Sequence, residues 1–382
     1  MKKKVIVIFG TRPEAIKMAP LVKELEKREG LDVKVCVTAQ HREMLDQVLD
    51  YFEIKPNFDL NIMKERQSLS SIPSRVLEGL DDIFINEKPD MILVHGDTST
   101  TFSAALAAFY NKISVGHVEA GLRSFNKYFP FPEEMNRKLT GALADLHFSP
   151  TKNSKNNLLR EGVDEERIFI TGNTVIDAMA HTVNDNYVFE NKELNNINFE
   201  DKKVIMITAH RRENWGKGIE NICKALLEIV NKNEDVELVY LVHLNPIVKD
   251  VVYSKLGNHE RIHLLSPLDT QETHNLMNKC YLVMTDSGGL QEEAPHLGKP
   301  VLVLRDVTER PEAVEAGTVE LVGTDTDKII LSAQKLISDE EHYEKMSKAI
   351  NPYGDGLASV RISDIIENYF GLKNNQISEF EK

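Results

Sequence analysis

Cysteine is scarce in this chain, and the number and spacing of the cysteines argue against both a disulfide-stabilised domain and a cysteine-ligated zinc domain. Only Cys36, Cys223 and Cys280 occur among the 382 residues, and no two of them form a Cys-x-x-Cys pair. A disulfide framework or a cysteine-ligated zinc site would need more cysteines at closer spacing. We therefore expect three buried, apolar cysteines in a reducing compartment.

The sequence also has no long apolar run. The opening MKKKVIVIF imitates the basic start of a signal peptide, but its apolar stretch ends at Phe9 and is too short. A membrane-spanning helix needs about 20 predominantly apolar residues, and no segment approaches that length. Both observations favour a cytoplasmic location and argue against a membrane partner.

Positive charge is in deficit as well. The 46 lysines and arginines face 60 aspartates and glutamates, which gives a formal net charge of −14. This balance argues against a general surface for nucleic acid or anionic membrane, but a few local cations could still bind an anionic small molecule. A length of 382 residues, at roughly 100–200 residues per domain, predicts two domains.

Apolar runs alternate with amphipathic stretches along the whole chain, which is typical of parallel sheets with helices on both faces. Helical stretches are predicted around 14–28, 70–86 and 100–110. Segment 184–203 is rich in asparagine and charge without a sustained period, and it is the favoured linker. The predicted strands are 4–9, 33–38, 91–95, 113–118, 168–171, 204–209, 237–243, 281–285 and 301–304.

The junction between the first strand and the following turn is the most informative feature. The run 5–9 is short, β-branched and aromatic, which predicts a buried parallel strand, and Gly10 then permits a tight turn. Pro13 suits the start of a helix. Arg12 would then lie at a strand's carboxyl end beside a helix amino terminus, where open α/β sheets bind ligands. The cation and the helix dipole both favour an anion, so we predict a phosphate-bearing ligand.

The second half of the chain opens in the same way. The predicted strand 204–209 runs into His210 and Arg211. Two facing doubly wound domains would bring both basic turns to one ligand.

A glycine pair follows a later strand of the second half. Asp286, Ser287, Gly288 and Gly289 come after the strand 281–285, and the glycines would let the backbone approach a phosphate. An ordinary turn is the alternative interpretation. Glu293 lies about one turn into the next helix and suits ribose hydroxyls.

Carboxylates follow two strands of the first half. Asp97 comes after the strand 91–95 and before a helix, so the local sequence alone favours a helix N-cap. Glu119 leaves the strand 113–118 and would cap poorly, which strengthens a functional interpretation. His117 and Glu119 alternate and could point to one face, but no third metal ligand stands at a useful spacing. A metal site is therefore the less favoured interpretation.

Two further glutamates are the first residues of a predicted helix that follows an aromatic loop in the sequence. Glu133 and Glu134 would usually complement the helix dipole in solvent. So much aromatic surface in a loop is more often packed than free, and a lid that excludes water is the alternative. The aromatic residues are Phe125, Tyr128, Phe129 and Phe131.

A series of blocks along nearly the whole chain resembles the non-hydrolysing UDP-N-acetylglucosamine 2-epimerases. The resemblance implies an α/β, GT-B-like fold of two doubly wound, Rossmann-like domains facing a central cleft. It implies an N-terminal domain over 1–175, a C-terminal domain over 176–359, and a last helix about 360–382 that packs back on the first domain. The blocks are GTRPEAIKMAPL, TAQHREMLDQV, LVHGDT, GHVEAGLRS, PFPEEMNR, TGNTVIDA, TAHRREN, TDSGGLQEEAP and NPYGDG.

The reaction that the resemblance implies is reversible inversion at carbon 2 of UDP-N-acetylglucosamine, giving UDP-N-acetylmannosamine for surface polysaccharide synthesis. The hydrogen on carbon 2 becomes acidic only as the bond from carbon 1 to UDP breaks. The family's route is therefore elimination of UDP to a 2-acetamidoglucal, followed by re-addition. No cofactor is needed, which fits the missing GxGxxG fingerprint after the first strand.

The positions that match the family carry three sets of expected roles, together with a homodimer and no metal. Allosteric control by a second UDP-N-acetylglucosamine is part of the expectation. The catalytic set is Asp97, Glu119, Glu133 and His210; the UDP-binding set is Arg12, Lys17, His210, Ser287, Gly288, Gly289 and Glu293; the allosteric set is Gln40, Arg66, Arg211 and His243.

Three rival functions stay open. A hydrolysing epimerase would release N-acetylmannosamine and UDP, and a GT-B glycosyltransferase would need an acceptor. A non-catalytic sensor could lack the carboxylates, which are all present here. One departure from the family concerns Thr270 and Thr273, which stand where an aromatic pair is usual, so that uracil packing would be weaker or built differently.

Overall fold

The computed structural model describes residues 2–39, 42–62 and 69–380. The chain divides into two compact units, each with its own parallel sheet. Unit 1 comprises Met1–Ala178 with Tyr353–Lys382, and unit 2 comprises Met179–Pro352. The division falls near residue 178, a few residues after the expected boundary at 175.

The sheet of unit 1 has seven strands in the order β3-β2-β1-β4-β5-β6-β7, and every neighbouring pair is parallel. The order reverses direction between β1 and β4, which makes their carboxyl ends the switch point where doubly wound sheets bind ligands. The strands are β1 (Lys3–Phe9), β2 (Leu31–Val37), β3 (Phe58–Asp59), β4 (Met91–His95), β5 (Ser114–Val118), β6 (Leu146–Ser149) and β7 (Ile168–Ile170).

The sheet of unit 2 repeats this plan with six parallel strands in the order β10-β9-β8-β11-β12-β13. Its switch point lies between β8 and β11. The expected α/β class with two doubly wound sheets is therefore confirmed. The strands are β8 (Lys203–Thr208), β9 (Val236–Leu241), β10 (Ile262–Leu265), β11 (Leu282–Thr285), β12 (Val301–Val303) and β13 (Val319–Leu321).

Helices follow most strands, as the alternating pattern predicts. The helices of unit 1 are α1 (Arg12–Glu26), α2 (Arg42–Tyr51), α3 (Ser71–Glu87), α4 (Ser99–Tyr110), α5 (Glu133–Leu143), α6 (Lys152–Arg160), α7 (Thr174–Thr182, which continues into unit 2) and α15 (Ala358–Tyr369). The helices of unit 2 are α8 (Lys217–Lys232), α9 (Pro246–Leu256), α10 (Thr270–Lys279), α11 (Leu290–His296), α12 (Pro311–Ala316), α13 (Thr326–Ser338) and α14 (Glu340–Ser347).

The strands that sequence reasoning missed are short or interrupted by polar residues. β3 has only two residues, and β13 reads VEL, so a glutamate interrupts its apolar pair. β6 reads LHFS and β10 reads IHLL, and the histidine interrupts each apolar run. Their places in the sheets come from pairing with strands that the sequence does predict, which are β2, β5, β9 and β12.

Segment 184–203 is not the linker that its composition favours, because it lies wholly within unit 2. Phe189, Leu194 and Ile197 are buried there. The backbone N–H groups of Asn184 and Asn191 donate to the side chains of Asn275 and Glu272 on α10. Asparagine-rich composition here reflects turns that hydrogen-bond to a helix.

The C-terminal helix belongs to unit 1. α15 packs against α1, and buried Asp177 of α7 accepts hydrogen bonds from the backbone N–H groups of Ala358 and Ser359 at the start of α15. Burial raises the pKa of the Asp177 carboxyl, even though these two N–H groups favour its ionised form.

All three cysteines are buried, as expected. Burial raises the pKa of each thiol to about 12, so none is a reactive nucleophile. Within the part of the chain that the structure describes, no helix is both long and apolar enough to cross a bilayer.

Gly10 is required by close packing at the first switch point. A Cβ at this position would lie 2.0 Å from Thr38 Oγ1 and 2.7 Å from Thr100 Oγ1. The two threonine hydroxyls hydrogen-bond to each other at 3.0 Å, and both side chains are fully buried. A larger residue would therefore separate β2 from α4.

Two buried histidines face each other across neighbouring strands of the same sheet. His117 on β5 pairs in register with His147 on β6, and each is about 1% exposed. Burial lowers the pKa of His117 to about 3 and that of His147 to about 4. His117 Nε2 also lies 2.7 Å from the carbonyl oxygen of Gly96, so a neutral ring can donate there.

We expect Gly10→Ala to lower the free energy of unfolding by about 2–3 kcal/mol, because overpacking forces side chains out of their rotamers. Urea denaturation measures the change. Gly218→Ala, in the first turn of α8 with its nearest atoms at 3.4 Å, should be neutral or stabilising and serves as the control. An unchanged urea midpoint for Gly10→Ala would contradict the packing argument.

Stability should fall as the pH is lowered below about 6.5. An unfolded histidine takes up a proton near pH 6.5, whereas folded His117 and His147 resist protonation until about pH 3 and 4. The unfolded state then binds more protons, which costs about 1.4 kcal/mol per pH unit for each histidine. Urea unfolding between pH 6.5 and 4.5 should show a shallower slope for His117→Gln than for the parent. Equal slopes in that range would refute the assignment, and the two slopes should agree between pH 7.5 and 8.5.

Candidate active site

A buried carboxylate joins the two turns at the switch point of unit 1. Glu14 on α1 accepts hydrogen bonds from the backbone N–H groups of Gly10 (3.1 Å) and Thr11 (2.8 Å) after β1. Its other oxygen accepts from the hydroxyls of Thr98 (2.7 Å) and Thr101 (3.2 Å) at the start of α4. Glu14 is 2% exposed. It thereby fixes the turn that carries Arg12 relative to the turn that carries Asp97.

A second buried carboxylate does the same in unit 2. Asp286, directly after β11, is fully buried, and its Oδ2 accepts from the backbone N–H groups of His210 and Arg211, both at 2.7 Å. The same oxygen accepts from the Asn214 side chain at 3.0 Å. We call Glu14 and Asp286 the bridging carboxylates, because each ties together the turns at one switch point.

Glu119 directly follows β5 in a left-handed backbone conformation, and this conformation places it beside the switch point of unit 1. Its φ of 60° ends the alternation of β5, so it does not share a strand face with His117 in the way that spacing predicts. Its carboxylate forms an ion pair with Lys17 of α1 and accepts a hydrogen bond from Asn173 at 2.9 Å. His95 Nε2 lies 3.5 Å from the same oxygen.

The electrostatic balance keeps Glu119 ionised. Burial alone would raise the pKa of its carboxyl, but the Lys17 ammonium and His95 outweigh burial and hold the pKa well below its usual value. A carboxylate of this kind can accept a proton once a neighbouring cation is withdrawn.

Asp97 is not the helix cap that the local sequence favours. Thr98 caps α4 by accepting from the backbone N–H of Thr101. Asp97 instead pairs with Arg137 of α5, whose Nη2 and Nε lie 2.6 Å and 2.8 Å from Asp97 Oδ2. Asn136 donates to the Asp97 carbonyl oxygen at 2.9 Å. Helix α5 therefore positions the second predicted catalytic carboxylate.

The paired glutamates at the start of α5 differ in environment. Glu134 is buried, accepts from the backbone N–H groups of Ser124 and Phe125, and lies 3.2 Å from Arg137. Glu133 is half-buried, and its side chain has no hydrogen bond or ion pair within residues 2–39, 42–62 and 69–380. Glu134 thus has a structural role, and Glu133 has a carboxylate open to a ligand.

The aromatic loop before α5 is exposed rather than packed. All four rings are at least 59% exposed, so the interpretation that they pack against the protein is wrong for this structure. Glu134 fixes the backbone at the start of the loop. The exposed rings are Phe125, Tyr128, Phe129 and Phe131.

The UDP-binding set of unit 1 lies on α1. Arg12 is the first residue of this helix, directly after the N-cap Thr11, and it is half-buried. Lys17 is one turn further along, where it meets Glu119. Of the expected allosteric set, Gln40 and Arg66 lie outside the described residues.

In unit 2, the expected catalytic residue His210 contacts the expected allosteric residue His243. The two rings are stacked 5.1 Å apart at an angle of 4°. Burial lowers the pKa of His210, Asp286 opposes this effect from 3.4 Å, and His243 and Arg211 add to it. Arg211 itself lies 3.9 Å from Glu309.

The glycine pair of unit 2 offers backbone donors. The N–H groups of Gly288 and Gly289 have no acceptor among the described residues, whereas the Ser287 N–H donates to Thr285 Oγ1. Arg310 covers this turn so closely that a Cβ on Gly288 would lie 2.7 Å from its Nη1. Sequence reasoning missed Arg310, because it is distant in the chain and follows no strand directly.

Glu293 lies beside the glycine pair on α11, which ends one residue after Pro295. A Cβ on Gly289 would lie 3.2 Å from Glu293 Oε1, and Glu293 Oε2 lies 3.5 Å from His274 Nε2. Thr270 is the first residue of α10, and the hydroxyl of Thr273 donates to the Asp269 carbonyl oxygen.

The described residues contain no cluster of three or more His, Cys, Asp or Glu side chains that could hold a metal ion. The polar groups at the two switch points are instead cations and backbone N–H groups that donate hydrogen bonds, and carboxylates that accept them. Such sets suit binding of an anion and transfer of protons.

Comparison with known proteins agrees with the resemblance in the sequence. The profile of the family described as UDP-N-acetylglucosamine 2-epimerase matches residues 23–367. A Clostridium acetobutylicum protein is 73% identical over 99% of this chain and 98% of its own length. The Bacillus subtilis UDP-N-acetylglucosamine 2-epimerase is 57% identical over 100% of this chain and 99% of its own length.

A solved structure has the same fold. The UDP-GlcNAc 2-epimerase from Neisseria meningitidis, bound to UDP-GlcNAc, is 52% identical and superposes with a TM-score of 0.87 over 96% of this chain and 100% of that one. The match of profile, sequence and fold extends over nearly the whole length. The chain therefore belongs to the UDP-N-acetylglucosamine 2-epimerase family.

Proposed function

We propose that this protein interconverts UDP-N-acetylglucosamine and UDP-N-acetylmannosamine by elimination and re-addition of UDP, without releasing free sugar. The observation that carries the proposal is the ionised Glu119, placed beside Lys17 at the switch point of unit 1. The Neisseria relative, whose structure holds UDP-GlcNAc, supports the choice of substrate.

The chemistry needs bases rather than a redox cofactor. Once the bond from carbon 1 to UDP begins to break, positive charge on the ring makes the hydrogen on carbon 2 removable. A carboxylate near each face of carbon 2 can then remove or return a proton. Asp97, Glu119 and Glu133 are the candidates for these two roles.

Lys17 links substrate binding to the basicity of Glu119. The ammonium that lowers the Glu119 pKa is also among the cations expected to bind the diphosphate. When Lys17 turns toward the diphosphate, Glu119 loses its main cationic partner, and burial then raises the pKa of its carboxyl. The substrate would thereby convert a stable ion pair into a usable base.

The nucleotide is assigned to unit 2. The N–H groups of Gly288 and Gly289, with His210 and Ser287, supply donors for the departing diphosphate, and preorganised charge of this kind is usually the largest catalytic contribution. Arg12 belongs to the proposed UDP-binding set by the family resemblance. Arg310 joins this set because it lies directly over Gly288. Glu293 is assigned to the ribose hydroxyls.

Allosteric control by a second UDP-N-acetylglucosamine is part of the proposal. Arg211 and His243 are the members of the expected allosteric set that the structure describes, and Gln40 and Arg66 belong to that set by the family resemblance alone. The stacking of His243 on His210 gives the two sites direct contact within unit 2.

A homodimer and a cytoplasmic location complete the proposal, with N-acetylmannosamine supplied to surface polysaccharide. Neighbouring helices α3 and α4 expose Ile85, Phe109 and Tyr110, each more than half accessible. Apolar residues exposed together on packed helices suit contact with a second copy.

The allosteric proposal predicts a sigmoidal dependence of rate on UDP-N-acetylglucosamine concentration. In the reverse direction, UDP-N-acetylmannosamine alone should react slowly until UDP-N-acetylglucosamine is added. Arg211→Ala should make the forward curve hyperbolic. Hyperbolic kinetics for the parent protein, with no activation in the reverse direction, would contradict the proposal.

Incubation with UDP-N-acetylglucosamine in deuterated water tests the reaction itself. Proton NMR should show deuterium at carbon 2 of both epimers, with no free N-acetylmannosamine and no need for an acceptor. Free sugar in stoichiometric amount would indicate a hydrolysing epimerase, and exchange only with an acceptor would indicate a glycosyltransferase. Absence of both exchange and turnover would indicate a sensor.

The same assay separates the carboxylates from structural residues. We expect Asp97→Asn, Glu119→Gln and Glu133→Gln each to slow exchange by about 10²–10⁴-fold while UDP still binds. Glu161→Gln, which breaks an ion pair with Arg123 elsewhere in unit 1, should keep the parent rate. Full activity in any of the three variants removes that residue from the catalytic set.

A further inference from the structure

A buried histidine lies behind the carboxylate that is assigned to the ribose. His274 on α10 is about 2% exposed, and both of its ring nitrogens face polar groups. Nδ1 shares a hydrogen bond of 2.6 Å with the hydroxyl of Thr182, the last residue of α7. Nε2 lies 3.5 Å from Glu293 Oε2.

The ring is fixed from more than one direction. Thr182 is itself buried, and its carbonyl oxygen accepts from the side chain of Asn275, the residue after His274. Asn275 also donates to the Gln271 carbonyl oxygen within α10. The end of α7 therefore holds the imidazole, so that only small rotations are open to it.

Glu293 lies between this imidazole and the glycine pair. One of its oxygens faces His274, and the other lies near Gly289. Its side chain is about 15% exposed, so a shift of the carboxylate would change what it presents to a ligand. A proton on Nε2 of His274 faces the Glu293 carboxylate. It partly compensates the negative charge of that carboxylate, which is poorly solvated here.

We propose that Thr182 and His274 position the Glu293 carboxylate and thereby set the preference of the site for a ribonucleotide over a deoxyribonucleotide. This inference rests on the proposed function, in which Glu293 binds ribose hydroxyls. His274 is a positioning residue here, since it acts through Glu293 and not on the nucleotide.

Calorimetric titration of the full chain with UDP and with its 2′-deoxy and 3′-deoxy analogues tests this inference. Glu293→Gln should reduce the preference for UDP over the analogue that lacks the bound hydroxyl. His274→Leu should reduce the same preference by about threefold to tenfold, because the Glu293 carboxylate loses the polar group that lies 3.5 Å from its Oε2. His274→Leu added to Glu293→Gln should reduce it no further.

Conservative variants distinguish positioning from a general structural effect. Thr182→Val should act like His274→Leu, whereas Thr182→Ser keeps the hydroxyl and should retain the preference. His263→Leu removes the ring of another histidine–glutamate pair in unit 2, with Glu237 at 3.0 Å, and should leave the preference unchanged.

Two results would overturn the inference, and they differ from failure of the proposed function. A parent-like preference in His274→Leu, while Glu293→Gln loses it, would exclude positioning by His274. Additive losses in the double variant would show that His274 acts independently of Glu293. If Glu293→Gln itself keeps the parent preference, the ribose assignment of the proposed function fails instead.

Discussion

In each unit, the arrangement of the candidate site residues depends on one buried carboxylate at the switch point. Parallel strands end in turns whose backbone N–H groups lack partners in the sheet. Glu14 and Asp286, the bridging carboxylates, accept from these groups and tie neighbouring turns together. Arg12, Asp97 and His210 all lie on turns fixed in this way. These two buried carboxylates therefore hold the turns in place, and Asp97 and Glu119, which accept fewer hydrogen bonds, are the carboxylates proposed for proton transfer.

Charge compensation explains how so many acidic groups are tolerated near the first switch point. Glu119 is offset by Lys17, and Asp97 by Arg137. Removing one partner from a buried pair leaves an uncompensated charge, which is costly. In the proposed reaction a bound diphosphate would compete with Glu119 for Lys17, so substrate binding and the basicity of Glu119 would be physically linked.

The sequence predicts the long, apolar strands and the turns after them, because periodicity and turn chemistry are local. It cannot find β3 or β13, whose few residues are strands only through pairing. The roles of Arg137 and His274 are also invisible to local patterns, since their partners lie on other elements. For Asp97, the local preference for capping loses to an arginine that α5 supplies, and Thr98 caps the helix instead. Asparagine-rich composition suggests a linker at 184–203, but tertiary hydrogen bonds place that segment inside unit 2.

The central claim is that the bond between carbon 1 and the diphosphate breaks during epimerisation. Positional isotope exchange tests this claim most directly, with ¹⁸O in the bridging position between carbon 1 and the β-phosphorus. If this bond breaks, the label moves into non-bridging positions of the β-phosphate at a rate comparable with epimerisation. Epimer formation with the label retained entirely in the bridge would contradict it.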